Sequence, residues 1–174
     1  MAAISRSAYL LLLFSVFFST TVYAGPYIGL APAVIQIKTD AGKTRPVMAD
    51  MRLGYALDAH RFELAVMTPV SDDNLNGLVT EVPSSTSVFY RYTANLKSTL
   101  NIDFILGYSQ TEIDAAYLQP PDFNETFTGL SFGIGFEEAL KSIPQLKVKF
   151  DYIKLYRGDQ LDIDAFSLGV RYEF

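Results

Sequence analysis

From Gly25 onward, apolar and polar residues alternate with period two along most of the chain, and helical periodicity is poor almost everywhere. The last segment shows the pattern most cleanly. Phe166, Leu168, Val170, Tyr172 and Phe174 share one parity, while Ser167, Gly169, Arg171 and Glu173 share the other. Successive side chains of a strand point to opposite faces, so the two sets define one bulky and one small or charged face. The same arrangement recurs in Met51–Leu53–Tyr55–Leu57, Phe62–Leu64–Val66, Tyr90–Tyr92–Ala94–Leu96, Leu100–Ile102–Phe104–Leu106–Tyr108, Leu130–Phe132–Ile134–Phe136 and Leu146–Val148–Phe150–Tyr152. Gly25–Ile37 is the ambiguous member, with Pro32 inside it and apolar residues on both faces.

The pattern predicts eight strands, at about 26–37, 47–57, 60–68, 86–96, 99–111, 126–136, 145–156 and 162–174. The connections alternate in length. Residues 58–59 and 97–98 make tight turns, whereas 38–46, 69–85 and 112–125 are longer and polar. An even strand count, strands near ten residues and this short–long alternation are the features of a bilayer-spanning barrel. Two connections fit less well: 137–144 is long for a turn, and Tyr156–Asp159 is brief for an outer loop. Thr80–Ser87 reads as a mobile, Ser/Pro-rich loop crest.

The predicted fold is all-β, an eight-stranded antiparallel up-and-down transmembrane β-barrel. The bulky parity is expected to face lipid, for three reasons. Gly, Ala and Ser crowd the other parity, which suits a narrow eight-stranded interior. Four or five large side chains per strand would overfill that interior. Tyr55, Tyr90, Tyr108, Tyr152, Tyr172 and Phe174 cluster near strand ends, where interfacial rings belong. In lipid every backbone amide needs an internal partner, so the sheet must close, last strand against first.

Residues 1–24 read as a secretory signal peptide: Arg6 is the positive charge, Ala8–Phe18 the apolar stretch, and Val22 and Ala24 the small residues before the cut. Residues 25–174 then form the barrel domain, with no second apolar run long enough for a spanning helix. Cleavage would leave 13 basic and 19 acidic residues in the mature chain, a charge of −6. That balance advertises no nucleic-acid partner. The chain has no Cys and one histidine, His60, so thiolate chemistry and a His-based metal cluster are excluded and no cofactor is expected.

Ten charged residues fall on the inward parity: Arg52, Arg61, Glu63, Arg91, Asp103, Lys147, Lys149, Asp151, Arg171 and Glu173. They read first as a paired network plugging the barrel, and second as the lining of a narrow conducting path. His60, beside Asp58, reads as an exposed turn residue rather than a catalytic base. Asp72, Asp73, Asn74 and Asn76 lack the alternating ligand pattern of a calcium loop and read as solvated. Asn124–Glu125–Thr126 is a sequon without necessary meaning in a bacterial exported protein.

The opening Gly25–Leu30, the glycine-alternating strand Gly129–Phe136 and the closing Ser167–Phe174 together resemble the small eight-stranded outer-membrane β-barrel family of Gram-negative bacteria, with OmpA-like and OmpX-like domains. The resemblance covers nearly all of residues 25–174. It implies an outer-membrane location, a periplasmic N-terminus and four external loops. It also implies that Leu168, Val170, Tyr172 and Phe174 form the signal read by the outer-membrane assembly machinery. With Phe174 last, no cell-wall anchoring domain is expected. Members of the family serve as structural components, adhesins, immune-evasion factors, minor porins or lipid-modifying enzymes.

The leading expectation is a non-enzymatic monomer with a structural or adhesion-like role mediated by the loops at 38–46, 69–85 and 112–125. Its partners would be outer-membrane lipids and lipopolysaccharide, the assembly machinery, and a host or surface ligand at the loops. A narrow porin and an exported lipocalin-like barrel for an apolar ligand are the alternatives.

Overall fold

The computed structural model describes residues 24–40, 42–75, 78–97, 100–117 and 123–174. The signal-peptide reading of residues 1–23, Asn76, one residue of the turn at 97–98, and the 118–122 crest of the third long loop lie outside the described residues.

The alternation produces eight barrel strands: β1 (Ala24–Thr39), β3 (Val47–Leu57), β4 (His60–Ser71), β6 (Leu78–Lys97), β7 (Leu100–Tyr117), β8 (Phe123–Leu140), β9 (Ile143–Arg157) and β10 (Leu161–Glu173). Two three-residue strands, β2 (Gly42–Thr44) and β5 (Asp73–Leu75), pair with β1 and β6 in the outer connections. All neighbours run antiparallel, and β10 pairs with β1 from Tyr27↔Glu173 to Thr39↔Leu161, closing the barrel. Closure leaves no sheet edge in the wall, which is the condition for placing strands in hydrocarbon.

The outward face is greasy along continuous cross-strand rows. One row runs Tyr172, Ile28, Leu53, Leu64, Val88, Tyr108, Leu130 through seven strands, every member exposed. Chemistry alone makes such a surface untenable in water and stable in lipid.

The turns differ from expectation in two places. Lys97, expected in a tight turn, ends β6 and pairs with Leu100. The connection expected over 137–144 is a two-residue turn, because β8 continues to Leu140 and pairs with Ile143. The turn between β3 and β4 is Asp58–Ala59, with Asp58 in the left-handed region at φ 57°, a conformation short polar side chains tolerate.

The long connections are also more ordered than their composition suggests. Thr80–Ser87 is strand, not loop crest: it lies in β6 and pairs with β7. Its register shifts between Glu81 and Ser84, and that irregularity accommodates Pro83, which has no N–H for a ladder. Similarly, β7 runs to Tyr117 and β8 starts at Phe123. These strands of 18 to 20 residues exceed the roughly 9–11 needed to cross a bilayer. Their upper parts form a raised sheet at the end away from the termini. On its outer face the rows turn polar: Thr86–Gln110–Thr128, then Ser84–Glu112–Thr126. β8 pairs with β9 only from Phe132 toward the termini, so among the described residues 123–131 are laddered on the β7 side alone.

The interior has two zones. In the half near the termini it is ionic. In the far half it is apolar: Ile35, Ile37, Met48, Met67, Val82, Ile113, Ile153, Leu155 and Ile163 form a buried cluster, with Phe127, Tyr156 and Leu161 packed on it. A hydroxyl ladder, Ser87 to Ser109 at 2.7 Å and on to Ser131, lies between them. The expectation that small and charged residues alone fill the middle therefore holds for only part of its length.

Candidate functional site

The ionic zone is assembled from every wall strand. Arg52 on β3 donates Nε and Nη2 to Asp50, 2.7 Å at the shortest, and Nη1 to Asp151 at 2.9 Å and Glu63 at 3.3 Å. Arg91 on β6 forks onto Asp151 through two bonds of 2.9 Å. It also donates Nε to Glu63 at 2.6 Å and Nη1 to Asp103 at 3.2 Å. Arg61 on β4 bridges Asp103 at 2.8 Å and Glu137 at 3.0 Å. Arg171 on β10 forks onto Glu137 on β8 at 2.6 and 2.7 Å and pairs with Glu173 at 2.7 Å. On β9, Lys149 contacts Asp151 at 3.3 Å and Lys147 contacts Glu173 at 3.0 Å. β1 joins through Tyr27, whose hydroxyl donates to Glu63 at 2.9 Å while its ring lies 4.5 Å beneath the Arg171 guanidinium.

The structure thus brings all ten singled-out charges into one connected cluster. Eight are buried; Lys147 and Glu173, at the rim, keep 17% and 24% side-chain exposure. The sequence reading missed three members. Asp50 shares Arg52's parity two residues away, a signal present but not used. Glu137 falls in the connection expected over 137–144, where the structure continues β8 to Leu140. Tyr27 was hidden by the two-sided apolar character of the first strand. With Asp50 and Glu137 the cluster holds six basic and six acidic groups, so the interior is charge-balanced. Forked, multiply bonded pairs of this kind are what keep ionised groups tolerable away from water.

Two glycines make room for it. A Cβ at Gly54 would overlap the Tyr27 ring, and one at Gly135 would meet the Asp151 carboxylate. Gly54→Ala is expected to push Tyr27 off Glu63 and Arg171 and to cost about 1–3 kcal/mol. Urea titration of the inserted barrel, followed by the loss of its heat-modifiable gel band, measures it.

Other candidates are placed elsewhere. His60 lies on the outward face at the terminal end, its Nδ1 2.6 Å from the Tyr90 hydroxyl and its ring between Tyr90 and Tyr92. Asp58 sits in the adjoining turn. Asp73 accepts from the backbone N–H of Arg45 at 2.7 Å and of Asn74 at 2.9 Å. Among the described residues no group of three or more His, Cys, Asp or Glu could hold a metal. Asn124 of the sequon donates to Asp114 across the raised sheet. Leu168, Val170 and Tyr172 line the outward face of β10, and the Phe174 N–H donates to Pro26 O at 3.2 Å.

The family model for the outer membrane protein β-barrel domain matches residues 7–174. No curated protein matches the chain significantly. Among solved structures, Ail of Yersinia pestis, in complex with the heparin analogue sucrose octasulfate, is similar at 15% identity and a TM-score of 0.64, covering 87% of this chain and 99% of that one. Neisserial surface protein A is similar at 18% identity and a TM-score of 0.63, with the same coverage. The N-terminal β-barrel domain of Pseudomonas aeruginosa OprF is similar at 13% identity and a TM-score of 0.59, again with 87% and 99% covered. At these identities the structural likeness speaks for the fold.

Proposed function

We propose, from the premise that this chain belongs to the outer membrane β-barrel family, that it is a non-enzymatic surface-interaction protein whose ionic interior is a structural plug and whose raised β6–β8 sheet meets the partner. The termini then lie on the periplasmic side, and the raised sheet stands outside the cell. The observation that carries the reading is that sheet. It rises past the greasy band, and the part of its edge above that band, residues 123–128, has no ladder partner on the β9 side. An extended edge above the membrane can receive a strand or loop from another molecule.

Its charge indicates the partner's chemistry. Glu81 pairs with Asp114, and Glu112 stands two residues along on the same outer face of the raised strands, with Asp72 and Asp73 on the neighbouring connection. This acidic face suits a basic protein surface. The polysulfated ligand of the Ail complex would be repelled there.

The plug reading is supported by the balance and burial of the interior charges. A continuous polar path is opposed by the apolar far half, where Ile35, Met48, Leu155 and Ile163 are fully covered. Solute passage would require both zones to open. The lipocalin-like alternative would need a polar outer face, and rows such as Tyr172–Leu130 are the opposite. Loss of residues 1–24 on export, a monomeric barrel and recognition of Leu168, Val170, Tyr172 and Phe174 by the assembly machinery complete the proposal. A mature chain starting at Gly25 retains the β1–β3 ladder from Gly25↔Ala56 onward.

The test is to replace residues 113–125 with a short turn and display both forms on cells. Adhesion is measured to immobilised extracellular proteins that differ in charge. Binding to the basic proteins is expected for the full chain and not for the trimmed barrel, with both forms heat-modifiable on gels. Equal binding by the two would overturn the assignment to the sheet. Separately, Phe174→Ala is expected to lower the yield of inserted barrel in cells while leaving the melting temperature of the inserted fraction nearly unchanged. Unchanged yield would contradict the role given to the C-terminal residue.

A further inference from the structure

At the far end of β1, β9 and β10 the outward rows change character within one step. The row Val34–Phe166–Tyr152–Ile134 is predominantly apolar. The next row is Gln36–Asp164–Lys154, and the one beyond it is Lys43–Lys38–Asp162–Arg157. The two rows beyond the apolar one carry four basic and two acidic groups, a local surplus of positive charge on a protein that is acidic as a whole.

The arrangement is built rather than scattered. Asp164 is fully covered although it faces outward. Its carboxylate takes Lys38 Nζ at 2.5 Å, Lys154 Nζ at 2.8 Å and the Tyr152 hydroxyl at 3.2 Å. Lys154 also reaches Asp162 at 3.3 Å. One buried carboxylate therefore fixes two ammonium groups side by side, each with N–H bonds left over. Lys43 and Arg157 flank them, and neither has an ion-pair partner among the described residues. The strip borders the hydrocarbon-facing row directly, which is the depth of lipid headgroups.

We infer that Lys38, Lys154, Lys43 and Arg157 form a binding strip for the phosphate groups of outer-leaflet lipids, pre-set by Asp164. The charge suits phosphate: four cationic side chains lie in two adjacent rows on one face, and arginine can fork onto two oxygens of one anion. The strip lies on β9, β10 and β1, beyond the β8 edge of the raised acidic sheet, so the two surfaces do not share strands. This inference rests on the membrane orientation proposed above.

The experiment is native mass spectrometry of the detergent-extracted barrel after reconstitution with phosphorylated glycolipid of the lipid A type or with phosphatidylcholine. Inorganic phosphate is added as competitor in a further arm. The wild type and Lys141→Gln, altered at the opposite end, are expected to retain the phosphorylated lipid. Lys43→Gln/Arg157→Gln is expected to weaken retention roughly tenfold, as is Lys38→Gln/Lys154→Gln. The first pair breaks no ion pair among the described residues. Heat-modifiable migration of each sample reports the barrel independently of the lipid. Equal retention by wild type and both double variants would overturn the strip. Displacement of the lipid by free phosphate at comparable concentration would overturn the assignment to a lipid headgroup.

Discussion

Arg91→Met is expected either to prevent recovery of folded barrel or to destabilise it by about 3–5 kcal/mol. Arg91 is almost fully covered and is the contact shared by Glu63, Asp103 and Asp151, which arrive from β4, β7 and β9. Methionine fills much of the volume but returns none of the charge. Three carboxylates would then share only Arg52, Arg61 and Lys149, and each of those already serves another acid or offers only one long contact. Removing one side of a buried pair costs far more than the pair contributes, because the remaining charge keeps its desolvation penalty. Arg91→Lys separates the two components of the effect. It restores charge without the fork onto Asp151, so an intermediate loss is expected. Urea titration of both variants in vesicles, read by heat-modifiable migration, gives the values. An Arg91→Met barrel as stable as the parent would mean the interior carboxylates are hydrated, and the plug reading would fail.

Leu106→Arg is expected to cost about 2–4 kcal/mol, and Gln110→Arg, on the same face of the same strand, about 0–1 kcal/mol. Leu106 is exposed on the outward face of β7 in a row with Phe132, Tyr90 and Phe62. Gln110 lies two outward positions further from the termini, in the polar row Thr86–Gln110–Thr128. The penalty for a guanidinium depends on depth, so the difference between the two variants places the upper boundary of hydrocarbon on β7. Equal costs would mean that the rows do not mark the bilayer. Insertion free energies in vesicles are the measurement.

The parity of the strands was legible because one physical fact governs it: a wall between lipid and a narrow interior forces bulky and small or charged residues onto opposite faces. Where both faces are apolar, that signal disappears. β1 carries Ala31, Ala33, Ile35 and Ile37 inward against Leu30 and Val34 outward, so Tyr27 could not be given a side. The same cause concealed the apolar far half, since Met48, Ile153 and Leu155 inside look no different from lipid-facing residues.

The connections were hard to read for another reason. Polar residues above the headgroups are compatible with strand as well as loop, and the bulge at Pro83 breaks the period just where β6 continues. Glu137 followed from the same limit. As the first residue of the connection expected over 137–144 it has no strand parity, whereas two ladder pairs on either side of it make it the acid that joins Arg61 to Arg171. The rim cluster around Asp164 was invisible because the bulge between β9 and β10 rephases the two strands at Ile163 and Asp164.

Lipid-to-protein NOEs in nanodiscs, with methyl-labelled but otherwise unaltered protein, test the inside–outside assignment without perturbing it. Cross-peaks from acyl-chain methylenes are expected at the methyls of Leu53, Leu64, Val88, Leu106 and Leu130, and none at Ile35, Ile105, Ile153 and Ile163. Acyl contacts at the second set with silence at the first would turn the barrel inside out and contradict the account.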